Sequence, residues 1–255
     1  MKKVNDYKVK VENLENTYTL SNNENADIEV SDGEVLTIIE VIDSDIKIIR
    51  NLIVGENATL NYIKIGKSTE TSDIKYINKI GDNATLNMFL FDFDSSNNAI
   101  DTKLESDNST LNIKGLIDLK NSSRVEYIVT TNHKTKSLSD ISFKNLLDGT
   151  SQAKLDMFSI VENSAAFSKA FQNSKTILLS DDSSIQVTPH LEISIDELEA
   201  SHGATCGDLD KDGLYYLESR GIKEYDAKIL LLNAIRNEVY SNLKDEKLIE
   251  YLRGL

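Results

Sequence analysis

The side chains best suited to bind a metal ion lie in a short stretch near the C-terminal end of the chain. His202 and Cys206 are four residues apart, and Cys206 is the only cysteine. Imidazole and thiolate are the ligands that iron and iron–sulfur centres take from proteins. One thiolate cannot hold a four-iron cluster, whereas a symmetric dimer would supply two thiolates and two imidazoles. A small buried cysteine without a ligand role is the alternative interpretation.

Two other motifs resemble ligand-binding loops but are incomplete. Residues 65–68 look like the end of a phosphate-binding loop, yet the glycine required five residues before Gly66 is missing. Residues 208–213 look like a calcium loop, but its twelfth position is Ser219 instead of glutamate. We therefore expect no nucleotide on this chain. His133 lies in polar sequence and is predicted to be a solvated or turn histidine.

The composition is that of a folded protein with a strongly acidic surface. The 255 residues are 40% hydrophobic, and the formal net charge is −14. Such a charge repels phosphate groups and anionic lipids, so we expect neither nucleic acid nor membrane as a partner. No apolar run approaches the roughly 18 residues of a membrane span, and the N-terminus lacks a signal-peptide pattern. With a single cysteine excluding an internal disulfide framework, these features predict a cytoplasmic protein.

A repeat indicates how the larger part of the chain is built. Residues 55–61 return as residues 81–87 and, more loosely, as residues 106–112, with the third-position asparagines 26 and 25 residues apart. The residues after each copy alternate between apolar and polar, which is typical of strands with one buried face. The repeat predicts a mainly β protein, a right-handed parallel β-helix or solenoid, whose corner asparagines stack as a ladder. An up-and-down β-sandwich with recurrent turns is the alternative.

The sequence becomes helical after residue 205. Asp210 is expected to cap a first helix that Gly221 ends, and apolar residues follow helical spacing from residue 224. Asp245 is expected to start a last short helix. Because this helical module is small, it should lean on the β part or on a partner. The predicted domains are an N-terminal segment at residues 1–19, a β-helix core at 20–205 and a C-terminal α-helical module at 206–255.

The motifs of the C-terminal half resemble the signature of the SufB/SufD family, the scaffold proteins of the SUF iron–sulfur cluster assembly machinery. The resemblance rests on T-P-H-L-E-I at residues 188–193, S-H-G-A-T at 201–205 and Y-Y-L-E-S-R-G-I at 215–222. It extends upstream to His133. It implies a parallel β-helix with a C-terminal helical region, in agreement with the repeat.

The resemblance implies a non-catalytic scaffold subunit. Family members pair through their β-helices and bind the ABC-type ATPase SufC through their C-terminal region. For this chain the resemblance therefore implies a homodimer that works with two SufC-like subunits. The residues that it implies for ATPase docking are Tyr216, Leu217, Arg220 and Gly221.

The resemblance also identifies His202 with the family's histidine linked to cluster assembly. SufB-type members carry glutamate where this chain has Gly203, so the chain resembles SufD there, and Cys206 stands where the family often has valine or threonine. The implied cargo is an iron–sulfur cluster or iron at a dimer interface, with His202 and Cys206 as candidate ligands. A carbohydrate-binding or carbohydrate-active β-helix protein is the alternative function.

Overall fold

The computed structural model describes residues 17–20, 24–68 and 70–255, which form a parallel β-solenoid followed by helices. The strands are β1 (Thr17–Leu20), β2 (Ala26–Val30), β3 (Val35–Ile42), β4 (Lys47–Val54), β5 (Thr59–Gly66), β6 (Ser72–Ile80), β7 (Thr85–Asp92), β8 (Ser96–Leu104), β9 (Thr110–Leu119), β10 (Arg124–His133), β11 (Leu138–Leu147), β12 (Gln152–Val161), β13 (Lys169–Leu178), β14 (Ser184–Ile193) and β15 (Glu199–Gly207). The helices are α1 (Lys211–Ser219), α2 (Glu224–Tyr240) and α3 (Glu246–Arg253). Most of the predicted N-terminal segment lies outside the described residues.

Each strand pairs in parallel with the strand two positions further along the chain. The odd-numbered strands form an eight-stranded sheet, called sheet A here, and the even-numbered strands form a seven-stranded sheet, sheet B. One turn of the solenoid therefore contributes one strand to each sheet. The predicted parallel β-helix with a C-terminal helical module is confirmed. The β-sandwich alternative is wrong, because an up-and-down sandwich has antiparallel neighbours and every strand pair described here is parallel.

The asparagines of the repeat form one column of corners of the solenoid. Asn57, Asn83 and Asn108 each have a φ of 55°, a left-handed conformation that asparagine tolerates better than most residues. The side-chain amide of Asn108 donates to the side-chain oxygen of Asn83 at 3.1 Å. The predicted ladder is therefore present between these two corners.

The apolar interior of the N-terminal turns encloses a buried ion pair. Lys64 and Asp92 are both fully buried, and 2.5 Å separates Nζ from Oδ1. Lys64 also donates to the side-chain oxygen of Asn98 at 2.8 Å, and the hydroxyl of Tyr127 donates to Asp92 at 2.5 Å. Burial, together with the charge of Asp92, raises the pKa of Tyr127 well above its ordinary value, so this hydroxyl stays protonated.

His133, the last residue of β10, faces the interior and is fully buried. Its ring nitrogens hydrogen-bond with Ser137 at 2.8 Å and with Ser139 at 2.9 Å. Burial lowers the pKa of His133 to about 4, so its ring is neutral at neutral pH. The expectation of a solvated or turn histidine is wrong, because the alternation of β10 continues to its last residue and directs the ring inward.

The helices pack outside the solenoid, against sheet A. Asp210 accepts hydrogen bonds from the backbone of the first turn of α1, and Gly221, with a φ of 84°, follows its end as predicted. Helices α2 and α3 bury an apolar cluster against the sheet, and Arg236 of α2 donates to Asp118 of β9 at 2.7 Å. The cluster contains Tyr240, Leu243, Leu248 and Leu252 from the helical module and Ile63, Ile65, Phe91 and Leu116 from the strands. The helical module thus leans on the β part.

None of the three helices in the described part of the chain combines the length and the apolar character required to cross a membrane.

Replacing Lys64 by methionine should destabilise the protein strongly, because Asp92 would stay buried without its counter-charge. Removing one partner of a buried ion pair costs about 3–5 kcal/mol, whereas the double change Lys64→Met with Asp92→Leu should recover part of this loss. Urea unfolding followed by circular dichroism measures both. The control is Lys154→Met, which breaks half-exposed pairs with Glu126 and Asp156 and should cost much less than breaking the buried pair. An unchanged stability of the Lys64→Met variant would contradict the buried pair.

The buried His133 should make the stability depend on pH. Its pKa is about 4 in the folded protein against an ordinary value of 6.5, so between these values the unfolded chain binds a proton that the folded chain excludes. The contribution of neutral His133 to stability is present above pH 6.5, falls as the pH approaches 4, and amounts to about 3 kcal/mol over that range.

The variant His133→Gln should therefore lose less stability than the wild type between about pH 7.5 and about pH 4.5, as measured by urea unfolding. His190→Gln, which changes an exposed histidine, is the control and should keep the wild-type dependence. Equal pH dependence in the His133→Gln variant and the wild type would rule out the buried neutral ring.

Candidate functional site

The last turn of the solenoid has two edges that no other described strand covers, called free edges here. β15 is the terminal strand of sheet A and β14 is the terminal strand of sheet B, and each pairs with a single described strand. Their outer edges therefore present backbone N–H and C=O groups that no described strand satisfies. In the earlier turns the inward-facing side chains are buried. On β14 and β15 the side chains at the same positions are exposed or half-buried. The two candidate ligands lie in this turn, on β15.

His202 and Cys206 occupy inward-facing positions of β15. In the strand register they stack on Gln172 and Thr176 of β13, whose side chains are buried in the interior. Both candidate ligands are nevertheless exposed, since no described strand pairs with the outer edge of β15. Four residues of a strand span about 13 Å. One chain therefore does not bring these two side chains to the same metal ion.

The histidine of the T-P-H-L-E-I motif lies apart from this pair. His190 is exposed on the outer face of sheet B, where its ring centroid lies 5.7 Å from that of Phe158. Across the described residues, no group of three or more histidine, cysteine, aspartate or glutamate side chains is placed to hold a metal ion. A single copy thus offers only a partial ligand set at the open end.

The interior of sheet A becomes polar as it approaches the candidate ligands. One inward row contains Ile113, Ile141, Gln172 and His202, and a second row contains Ile117, Asn145, Thr176 and Cys206. Asn145 donates to Thr176 at 2.9 Å, and Gln172 donates to Ser159 at 2.7 Å. The side-chain oxygens of Asn145 and Gln172 are buried without a protein hydrogen-bond partner. The candidate ligands therefore lie at the open end of the solenoid, next to polar interior side chains.

Gln172 and Asn145 were not among the candidates from the sequence. Both lie in strands that alternate, and counting every second residue from Ile141 leads to Asn145 on the same face. Counting along one strand does not show which residues of neighbouring strands lie side by side. The row that joins Gln172 to His202 could therefore be identified only from the register between turns.

The predicted ATPase-docking residues lie on α1 and just after it. Helix α1, all of which the structure describes, has no buried residue. The ring of Tyr216 is exposed and lies 5.3 Å from the guanidinium carbon of Arg220, while Leu217 is half-buried and Gly221 is exposed. Next to them, Tyr215 is 75% exposed. These residues form an aromatic surface with one arginine on the outside of the molecule, flanked by the exposed acids Asp212 and Glu218.

Known proteins match both the solenoid and the start of the helical module. The family model described as "SUF system FeS cluster assembly, SufBD core domain" matches residues 13–235. An "Iron-sulfur cluster assembly SufBD family protein" of Synechocystis is 34% identical over 100 residues, which are 39% of this chain and 22% of that protein. The "Iron-sulfur cluster assembly protein SufD" of Escherichia coli is 29% identical over 148 residues, 58% of this chain and 35% of that protein.

The SufD protein of Bacillus subtilis is 34% identical over 86 residues, 34% of this chain and 20% of that protein. The matches to these three relatives thus span from 20% to 35% of their length. The family match covers all of the described strands, the whole of α1 and most of α2. On this evidence the chain belongs to the SufBD core domain family of the SUF iron–sulfur cluster assembly system.

Proposed function

We propose that this chain is a non-catalytic scaffold subunit of a SUF iron–sulfur cluster assembly complex. It binds a SufC-like ABC-type ATPase through α1, pairs with a second copy of itself through the last turn, and carries an iron–sulfur cluster or iron at that junction as cargo. The observation that carries the proposal is the free edge of β15, with His202 and Cys206 on its inward face. Family membership is the reason to prefer this role to a carbohydrate-active one.

In a single chain His202 and Cys206 are too far apart to bind one metal ion, but a symmetric dimer can bring them together. Two copies related by a two-fold axis pair the free edges of β15 in antiparallel fashion. With the axis at Ala204, His202 of one copy stands opposite Cys206 of the other, because both positions are two residues from the axis. Opposite residues on one face have Cβ atoms about 4.5–5.5 Å apart. An imidazole and a thiolate from different copies can then share one iron.

The ligands available at this junction suit a cargo that must be released. Each pair offers one imidazole and one thiolate, fewer than the four protein ligands that a permanently held iron–sulfur cluster takes. A reactive thiolate also requires a reducing compartment, and we propose the cytoplasm.

The exposed surface of the helical module supports ATPase docking. Tyr215 and Tyr225 are 75% and 74% exposed, and Arg220 lies beside Tyr216. Tyrosine and arginine are the residues that dominate binding energy in protein interfaces. The adjoining helix α2 is anchored to β9 by the contact between Arg236 and Asp118, so a displacement imposed on α1 is passed to the solenoid.

The variant Arg220→Glu should lose co-purification with the SufC-like ATPase, because it reverses the charge in the centre of the proposed docking surface. A pull-down of the purified chain with the ATPase, repeated by isothermal titration calorimetry, measures the effect, and we expect at least a tenfold weaker complex, about 1.4 kcal/mol or more. Lys247→Glu, an equal charge reversal at an exposed position of α3, is the matched control. Binding that survives in the Arg220→Glu variant would remove α1 from the interface.

The variant Cys206→Ser should lose the visible absorbance of an iron–sulfur cluster after anaerobic reconstitution with iron and sulfide, because the chain contains no other thiol. His202→Ala should weaken the same absorbance, and His190→Ala, on the outer face of sheet B, should leave it intact. Sedimentation of the reconstituted protein reports whether the cluster accompanies the dimer. A wild-type spectrum in the Cys206→Ser variant would exclude this thiol as a ligand.

A further inference from the structure

The corner between β12 and β13 holds a phenylalanine in a backbone conformation that phenylalanine disfavours. Phe167 has a φ of 63°, in the left-handed region where a bulky side chain is strained. Its side chain is 67% exposed, so burial within this chain does not offset the strain. A residue that is both strained and exposed suggests a contact outside the chain.

Other corners of the same column carry residues that tolerate this conformation. They are Gly33, Asn57, Asn83 and Asn108. The backbone N–H of each donates to a carbonyl of the following turn, and the N–H of Phe167 makes the same kind of bond, to the carbonyl of Glu197 at 2.6 Å. The solenoid therefore requires only the backbone geometry at this position, which asparagine would supply with less strain. The phenyl ring is not a requirement of the fold.

Phe167 lies next to the corner of the last turn, one turn before the free edges. β14 ends and β15 begins at the loop that contains Glu197, and three more apolar residues belong to this region. Ile193 is 44% exposed, while Ile195 and Leu198 are half-buried and pack in part against Val161, Ala165 and Ala170 of the same chain. We call Phe167, Ile193, Ile195 and Leu198 the apolar corner. Within one chain, helix α1 follows the opposite end of β15, about 27 Å away along the strand, so the corner is remote from the proposed ATPase-docking residues of the same chain.

The charge of the last turn explains why its docking surface needs an apolar anchor. Residues 176–210 contain no lysine or arginine. Their eight acidic residues are Asp181, Asp182, Glu192, Asp196, Glu197, Glu199, Asp208 and Asp210. Lys169 and Lys211 pair with Glu199 and Asp208, and the other six acidic residues make two such ends repel each other when they approach. Affinity must therefore come from backbone pairing and from apolar contacts that are independent of charge.

We propose that the apolar corner is part of the surface on which the second copy of this chain docks, with Phe167 as its main anchor. The inference rests on the proposed pairing through the last turn and adds to it a specific contact residue. A second copy fits because its added strands would cover the free edges of β14 and β15, which adjoin the corner. Phe167 is then strained in the separate chain and buried in the dimer.

The variant Phe167→Asn tests this because its two expected effects have opposite signs. The dissociation constant of the dimer should rise about tenfold or more, measured by analytical ultracentrifugation at about 0.5 M NaCl to screen the acidic residues. The stability of the monomer in urea should stay equal or rise, because asparagine accepts the left-handed backbone. Ile128→Asn removes an exposed apolar side chain from the outer face of sheet B and should leave the dissociation constant unchanged.

Four outcomes would overturn the inference. A wild-type chain that stays monomeric at all concentrations overturns both the pairing and the anchor. A dimer that Ala204→Arg disrupts and Phe167→Asn leaves intact preserves the pairing and overturns the anchor. A lower stability of the Phe167→Asn monomer assigns the ring to the fold of the single chain. Loss of ATPase binding with an unchanged dimer assigns the apolar corner to that partner.

Discussion

The structure depends on one constraint, the parallel pairing of every strand with the strand two positions further on. This rule aligns equivalent residues of successive turns, so that corners form columns and inward side chains form rows. It also means that, among the described strands, those of the first and last turns have a neighbour on one side only. In the last turn two strand edges are therefore free, close to the only thiol of the chain. The turn at which the stacking ends therefore also carries the candidate metal ligands His202 and Cys206.

The interior of the solenoid holds polar side chains at several levels along its axis. The N-terminal turns enclose apolar side chains around two buried ion pairs, and the pair between Lys64 and Asp92 is further satisfied by Asn98 and Tyr127. Further on, His133, Asn145 and Gln172 replace aliphatic residues, and the oxygens of the last two lack protein partners. Unsatisfied buried polar groups reduce stability, and they also occur in the N-terminal turns, where side-chain atoms of Ser72, Tyr76, Asn78 and Ser109 lack a protein partner. What is particular to Asn145 and Gln172 is their position in the rows that lead to Cys206 and His202.

Sequence reasoning predicted the elements that depend on local pattern. Alternation with the 25- and 26-residue spacing indicated the solenoid, and Asp210 and Gly221 marked the limits of α1, because caps and periodicity are written in neighbouring residues. The burial of His133 and the rows that end at His202 and Cys206 were not predictable in the same way. They depend on which residue of one turn lies beside which residue of the next, and on where the stacking stops. The packing of α2 on sheet A likewise required tertiary contacts.

The position of the helical module has a consequence for how the solenoid opens. In a stack whose turns contact only their neighbours, unfolding can begin at either end and proceed turn by turn. Here the helices contact Ile63, Phe91, Leu116, Leu146 and Ile177, one residue in each of five successive strands of sheet A. The helices thus join these five turns, which should unfold together. β15 has no such contact with the helices in the described part of the chain. Local unfolding should therefore concentrate in the last turn, whose amide hydrogens should exchange first.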